Sequence, residues 1–131
     1  MNPRILRELS QSFMKNDTIF YLNLSANDFH LAEEEGIKFL CQSLKENKSI
    51  NHLNLSSRGN FSNLKGIQHM ELIAELFQTN KNIQTFNFSW QNFGHCQLQD
   101  LKLFCESLFK NSSINVLVLQ NNFDRVPTKE K

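Results

Sequence analysis

The chain has 131 residues, of which 40% are hydrophobic and 21% charged, proportions typical of one soluble globular domain. Its formal net charge of +1 excludes a global electrostatic attraction to nucleic acid or to an anionic membrane. The three cysteines follow no pairing motif and no apolar run is long enough to span a bilayer, which excludes a disulfide scaffold and membrane insertion and favours an intracellular setting.

The first predicted element is an amphipathic helix over residues 3–15. Its apolar residues Leu6, Leu9 and Phe13 fall on one helical face, so we expect them to cover the apolar side of the strand that follows. Basic residues in the same segment also resemble an organellar presequence. The acidic residue Glu8 and the repeat register described next favour the structural interpretation.

After this helix, one apolar pattern occurs four times at the spacing of a strand. Each copy reads apolar-x-x-apolar-x-apolar, and the starts of the copies are 31, 33 and 31 residues apart. The copies are residues 19–24, 50–55, 83–88 and 114–119. Because neighbouring side chains of a strand point to opposite faces, the alternation predicts four short strands with one buried face each, beginning near 19, 50, 83 and 114.

Further columns precede each strand and predict a helix there. Apolar residues stand six, ten and thirteen positions before each strand, a spacing that places them on one helical face. The column at ten positions consists of Leu9, Leu40, Ile73 and Phe104. An asparagine column stands three positions before each strand: Asn16, Asn47, Asn80 and Asn111. Asparagine tolerates the left-handed backbone, so we expect this column to end each helix in that conformation.

A single helix–strand unit cannot bury both its helical stripe and its strand face, so neighbouring units must stack. We therefore predict an α/β solenoid with parallel strands on the concave face, helices on the convex face and an N-terminal half-repeat helix. The predicted domain covers residues 1–123 and a polar C-terminal tail covers residues 124–131.

The segment 22–29, which reads Leu-x-Leu-x-x-Asn-x-Phe and precedes a helix with Gly36, resembles a leucine-rich repeat of the ribonuclease-inhibitor-like class. The resemblance implies a turn after each strand whose asparagine hydrogen-bonds backbone groups. Asn27 and Asn122 match that position, whereas Arg58 and Gln91 replace it. It also implies a protein-binding surface and, for some members of the class, GTPase activation through a loop residue such as Arg58.

The outward strand positions form three columns of side chains on the concave face. The residues proposed to bind a partner there are Tyr21, Asn23, His52, Asn54, Thr85, Asn87, Val116, Val118 and Gln120. The third column also contains Ser25, Ser56 and Ser89. None of these twelve residues is charged, which argues against a nucleic-acid groove and favours a protein partner. The alternative is that the asparagines only hydrogen-bond one another along the sheet.

The C-terminal end is a second candidate binding surface. No helix pattern follows Leu119, so the last strand is expected to expose an unpaired edge and an apolar flank. Val116 and Val118 also replace polar residues on that strand. We expect this end to dock onto another protein or another repeat. Two alternatives remain: the tail folds back as a cap, or the chain is a piece of a longer solenoid.

Catalytic chemistry has weak support in the sequence. The four histidines are scattered over different columns without metal-ligand spacing, so no metal or cofactor is predicted. Cys41 and Cys105 occupy equivalent helix positions and are expected to be small buried apolar residues. Arg58 is kept as the one candidate residue of the alternative function, GTPase activation.

The combined prediction is a non-enzymatic protein–protein interaction module, a small structural or adaptor subunit of a larger assembly. Its predicted setting is cytoplasmic or cytoskeletal. A ciliary location is suggested only by analogy with small repeat proteins of motile-cilium and cytoskeletal assemblies.

Overall fold

The computed structural model describes residues 2–27, 29–57 and 68–123. Within them the elements are α1 (Pro3–Met14), β1 (Tyr21–Asn23), α2 (Glu34–Glu46), β2 (His52–Asn54), α3 (Met70–Thr79), β3 (Thr85–Asn87), α4 (Leu98–Lys110) and β4 (Val116–Val118). Short 3-10 turns follow β1 and β3, at Phe29–Leu31 and Phe93–His95. Each helix together with the strand after it is called a unit, numbered 1 to 4 in chain order.

The strands form one parallel sheet in sequential order. Tyr21, His52, Thr85 and Val116 lie in one row across it. The helices cover the other side of the sheet. This arrangement confirms the predicted fold class, an α/β solenoid of the leucine-rich-repeat type with strands on its concave face and helices on its convex face.

The core lies between the sheet and the helices and is richest in unit 3. Phe86 is fully buried, and its ring centroid lies 4.5 Å from that of Phe77 and 5.1 Å from that of Phe88. The corresponding positions of unit 2 hold Leu53 and Leu55, which are also buried. Burying one such side chain contributes about 1.5–3 kcal/mol, so these columns hold the stack together.

Leu9 corrects the predicted core. Its column members Leu40, Ile73 and Phe104 are buried, but Leu9 itself is 41% exposed. The helices α2, α3 and α4, which carry the buried members, each pack against the helix before them, and no unit precedes α1 within the described residues. The prediction that Leu9 belongs to the core is therefore wrong, although Leu6 in the same helix is buried as expected.

The asparagine column ends the helices differently from the prediction. Asn47, Asn80 and Asn111 have extended backbone, with φ of −67°, −72° and −72°, and not the left-handed conformation. Each side-chain oxygen accepts hydrogen bonds from the backbone N–H groups two and three residues later. The Nδ2 group of Asn47 donates to the carbonyls of Phe13 and Asn16, at 2.7 and 2.8 Å. The column thus ties each helix end to its own strand and to the preceding unit.

Gln91 occupies the asparagine position of the turn after β3 and performs part of its role. Its Nε2 group donates to the Leu55 carbonyl of the preceding unit at 2.8 Å, as Asn122 Nδ2 donates to the Phe88 carbonyl at 2.8 Å. The longer glutamine side chain therefore makes the same inter-unit bond. The other departure from the family pattern, Arg58, lies outside the described residues.

Candidate functional site

The first outward column carries aromatic side chains at its N-terminal end. Tyr21 is 52% exposed, and its ring centroid lies 6.1 Å from that of His52. Phe20 is 62% exposed, and its ring centroid lies 6.4 Å from that of His52. Phe20 was not among the predicted site residues, although the corresponding positions in units 2 and 3 hold the polar residues Asn51 and Gln84 and so mark it as an exception. Together, Phe20, Tyr21 and His52 are called the aromatic patch.

The second column is a row of asparagine amides. Asn54 Oδ1 accepts hydrogen bonds from the backbone N–H and the hydroxyl of Ser56, at 2.9 and 2.7 Å. Asn87 accepts from the N–H and the hydroxyl of Ser89 in the same way, whereas Asn23 accepts only from the backbone N–H of Ser25. In the described part of the chain these amides do not bond one another. The alternative, in which the asparagines only hydrogen-bond one another along the sheet, is therefore wrong. Their Nδ2 donors have no partner among the described residues.

The third column sits at the end of the strands, where the serines orient these amides. The Ser89 hydroxyl donates to Asn87 Oδ1 at 2.6 Å and accepts from the backbone N–H of Gln120 at 3.2 Å. The serines thus hold the side-chain oxygens, and the amide nitrogens are left without a bond to any described residue. The structure thus brings the predicted site residues onto one uncharged surface with available hydrogen-bond donors.

The outer edge of β4 is the second candidate surface. Leu117 is 37% exposed, whereas its row partners Leu53 and Phe86 are 1% and 0% exposed. Val116 is 48% exposed. The predicted tail, 124–131, lies outside the described residues, so the capping alternative stays a prediction. Within residues 2–27, 29–57 and 68–123, β4 pairs only with β3.

The convex face contains a groove between α2 and α3. A cavity of about 370 Å³ is lined by Phe39, Leu72 and the buried Cys41, and an ion pair between Lys45 and Glu75, with Nζ and Oε1 2.8 Å apart, bridges it. Phe39 and Leu72 are half-buried here. The groove therefore places two partly accessible apolar side chains on the convex face.

The cysteines occupy three different environments. Burial raises the pKa of the Cys41 thiol to about 12. Burial, and secondarily the negative charge of Asp100, raise the pKa of Cys96. Cys105 is exposed, so the prediction that it is buried like Cys41 is wrong. The reason is its position on unit 4, where no further helix covers its column in the described chain.

These environments predict an order of thiol modification. Because the thiolate is the reactive form, alkylation of the folded protein at about pH 8 should modify Cys105 first and Cys96 more slowly. Cys41 should react only after unfolding, since it is buried and stays protonated. Peptide mass spectrometry of a time course in dilute solution measures the order. Early modification of Cys41 would contradict its assigned buried position on α2.

Two kinds of site are not found among the described residues. No group of three or more His, Cys, Asp or Glu side chains there is arranged to hold a metal ion. No helix in the described ranges has both the length and the apolar character needed to cross a membrane.

The stacked units define a small leucine-rich-repeat-like solenoid, and solved structures include similar folds. The chain is similar to a structure named leiomodin-1 actin-binding site 2, at 21% sequence identity and a TM-score of 0.70, over 92% of this chain and 64% of that one. It thus spans less than two thirds of that structure.

A second similar structure is a tropomodulin C-terminal domain from Caenorhabditis elegans, at 13% identity and a TM-score of 0.44, over 96% of this chain and 86% of that one. At these identities the likeness concerns the fold alone, and the second TM-score is too low to argue from. No protein-family model and no curated protein matches the sequence.

Proposed function

We propose that this chain is a non-enzymatic protein–protein interaction module of the ribonuclease-inhibitor-like class of leucine-rich repeats, acting as a small structural or adaptor subunit. One observation carries the proposal: the outward strand columns form an uncharged surface whose amide donors on Asn23, Asn54 and Asn87 have no partner among the described residues. Such donors, next to the aromatic patch, fit the mixed apolar and polar character of protein interfaces.

The aromatic patch supplies the apolar part of this interface. Tyrosine is enriched among the residues that contribute most to protein binding, because it buries a large rigid area and keeps a polar group. Tyr21 is 52% exposed and lies at one end of the amide row. Val116 and Val118 at the other end add a smaller apolar surface. A partner that crosses the strands would contact both ends.

The first partner to test is actin. The solved structure of leiomodin-1 with a similar fold is named an actin-binding site, and its likeness extends over 92% of this chain. The proposed setting is therefore cytoskeletal, and a ciliary location is one specific form of it.

Asn54→Asp tests the concave surface with little expected effect on the fold. The aspartate keeps the oxygen that accepts from Ser56, but it replaces the amide donor with a negative charge. We expect affinity for a concave-face partner to fall about tenfold or more, because an unpaired charge would be buried in the interface. Gln42→Glu, an exposed position on the convex helix α2, is the matched control.

The measurement is capture of purified filamentous actin, and of proteins from a cell extract, by the immobilised wild type and the two variants. The proposal expects the wild type and Gln42→Glu to retain the same proteins and Asn54→Asp to lose them. Equal capture by all three chains would contradict binding at the amide row. If the wild type captures extract proteins but no actin, and Asn54→Asp loses those proteins, actin is removed as the partner and the surface assignment stays in place.

GTPase activation stays the alternative function, and its proposed residue Arg58 lies outside the described residues. A GTPase assay with the wild type and Arg58→Ala tests it. Unchanged turnover in the presence of the variant would remove this alternative.

A further inference from the structure

Unit 4 leaves open the columns through which each unit contacts the next. In units 2 and 3 the residues of these columns are buried: Ile37, Cys41, Leu44, Met70, Ala74 and Phe77. Their counterparts on α4 are Leu101, Cys105 and Leu108, of which Cys105 is exposed and the leucines are half-buried. These three residues and Leu117 are called the tail face. It has the composition of an interior joint, and no unit packs against it within residues 2–27, 29–57 and 68–123.

Unit 1 carries the other half of such a joint. Leu9 is 41% exposed and occupies the helix position of Leu40, which is buried. Ile5 is 64% exposed and occupies the position of Gly36, where an added Cβ would lie 3.1 Å from Leu6 of α1. Ile5, Leu9, Asn16 and Tyr21 are called the head face. Because the helix–strand register repeats, Asn16 occupies the position from which Asn47 and Asn111 bond the preceding unit. At the position of Ile5 the interior units hold smaller or polar residues, such as Gly36 and Asp100.

The asparagine column gives the two faces complementary hydrogen-bonding groups. At an interior joint, Asn111 Nδ2 donates to the Phe77 and Asn80 carbonyls of the preceding unit, at 2.9 and 3.2 Å. On the head face, Asn16 Nδ2 has no partner among the described residues, and its oxygen is already bonded to residues 18 and 19. On the tail face, the carbonyls of Leu108 and Asn111 occupy the corresponding acceptor positions.

The strand edges are complementary in the same sense. Between units 1 and 2, Leu24 N–H donates to the Asn54 carbonyl at 2.9 Å and Ala26 N–H to the Ser56 carbonyl at 2.8 Å. The corresponding donors on unit 4, the N–H groups of Leu119 and Asn121, have no acceptor among the described residues. The corresponding acceptor on unit 1, the Asn23 carbonyl, has no donor among them. Each edge also carries the opposite group: the Asn115 carbonyl at the β4 edge corresponds to the Phe20 carbonyl, which accepts from the His52 N–H of the next strand, and the Tyr21 N–H at the β1 edge corresponds to that of His52. The two edges therefore offer matching donors and acceptors for one further parallel pairing.

We propose that the tail face binds the head face of a second copy of this chain, with β1 of that copy added in parallel to β4. Continuing the sheet register places Tyr21 of one copy opposite Val116 of the other. This inference deepens the proposed function, on which it rests, by naming one partner. Such a head-to-tail contact is heterologous, so it continues into open chains unless the rotation closes a ring.

A symmetric tail-to-tail dimer fits the groups less well. It would place the Leu108 and Asn111 carbonyls of one copy near the same carbonyls of the other, with no amide donor corresponding to Asn16. Unpaired polar groups in a buried interface are costly, so the observed donor and acceptor positions favour the head-to-tail contact.

Two variants block the faces separately. Ile5→Arg places a charge on the head face and Cys105→Arg places one on the tail face, at positions exposed in the single chain, so both should fold. Leu9→Arg and Val116→Arg form a second pair in case either first variant melts early. Ser112→Arg is the control, because the corresponding residues Lys48 and Lys81 are already exposed cations.

Sedimentation velocity from about 1 to about 300 µM reads the outcome. We expect the wild type and Ser112→Arg to grow beyond a dimer as concentration rises. Each blocked variant alone should shift this assembly to at least about tenfold higher concentration, and an equimolar mixture of the two should form a one-to-one dimer.

Three results would overturn the inference: a monomeric wild type over the whole range, a mixture that stays monomeric, or an Ile5→Arg variant that assembles at the same concentrations as the wild type. Failure of the head-to-tail inference can be distinguished from failure of the proposed function, because Ile5 lies on α1, away from the amide row on the strands. Ile5→Arg should therefore capture concave-face partners as well as the wild type does. If it does and no assembly occurs, only the head-to-tail inference fails.

Discussion

Replacing Phe86 with alanine is expected to lower the free energy of unfolding by about 3–5 kcal/mol. Phe86 is fully buried, with a solvent-accessible fraction of 0%, and its ring contacts those of Phe77 and Phe88. Alanine would remove these contacts and leave a cavity that the stacked units cannot fill. Since small domains are stable by about 5–15 kcal/mol, the loss is a large share of the total.

Urea denaturation followed by circular dichroism measures this change, and Phe109→Ala is the matched control. Phe109 is 92% exposed on α4, so its replacement should leave the unfolding midpoint nearly unchanged. Equal destabilisation by the two variants would contradict the assigned core, because it would mean that the third strand does not bury its inner face.

Replacing Asn80 with alanine is expected to destabilise the protein by about 1–3 kcal/mol for each buried backbone group left without a partner. Asn80 is 5% exposed, and its oxygen accepts from the N–H groups of Asn82 and Ile83, at 2.9 and 2.8 Å. Its Nδ2 group donates to the Leu44 carbonyl of the preceding unit at 3.2 Å. The substitution removes all three hydrogen bonds, and the alanine side chain has no polar atom that could replace them.

Asn23→Ala is the control for Asn80→Ala, because Asn23 is exposed and its oxygen accepts only from the Ser25 N–H, at 3.0 Å. We expect this change to cost less than about 1 kcal/mol. Chemical denaturation of both variants compares the two positions. Similar losses would show that the asparagine column does not hold consecutive units together.

The sheet and the core could be predicted from the sequence because apolar side chains must be buried at the same positions of each repeat. Leu53 and Phe86 stand at equal positions in a pattern with a period of 31 to 33 residues, and one register serves both. A repeated apolar column has few other ways to be buried than against the next unit. The strand rows could therefore be assigned before any coordinates.

The errors came from residues whose environment differs between the ends and the middle of the stack. Leu9 and Cys105 match buried residues in the pattern but are exposed, since a position's burial depends on whether a neighbouring unit covers it. A column shows chemical likeness and cannot show this difference. Phe20 was missed for the opposite reason: it is an aromatic residue in a column whose members in units 2 and 3 are polar.

The geometry of the asparagines could be predicted only in part. Asn47 and Asn54 are the same residue type, and each lies close to a strand. The first bonds the preceding unit through its amide, whereas the second holds a serine in its own unit. These roles depend on which backbone groups lie within hydrogen-bonding distance of each side-chain amide. The stacking of the units sets those distances. The amide donors of the candidate site therefore became evident only in the structure.

The open outer edge of β4 underlies both the second candidate surface and the head-to-tail inference, and native-state hydrogen exchange tests it most directly. In dilute solution we expect the Leu55 and Phe88 amides, which donate to the next strand at 2.9 Å, to be strongly protected. The Leu119 amide, at the corresponding position of unit 4, should exchange quickly and become protected only as concentration rises. Protection of Leu119 equal to that of Leu55 in dilute solution would show that the edge is already covered, and would contradict this account.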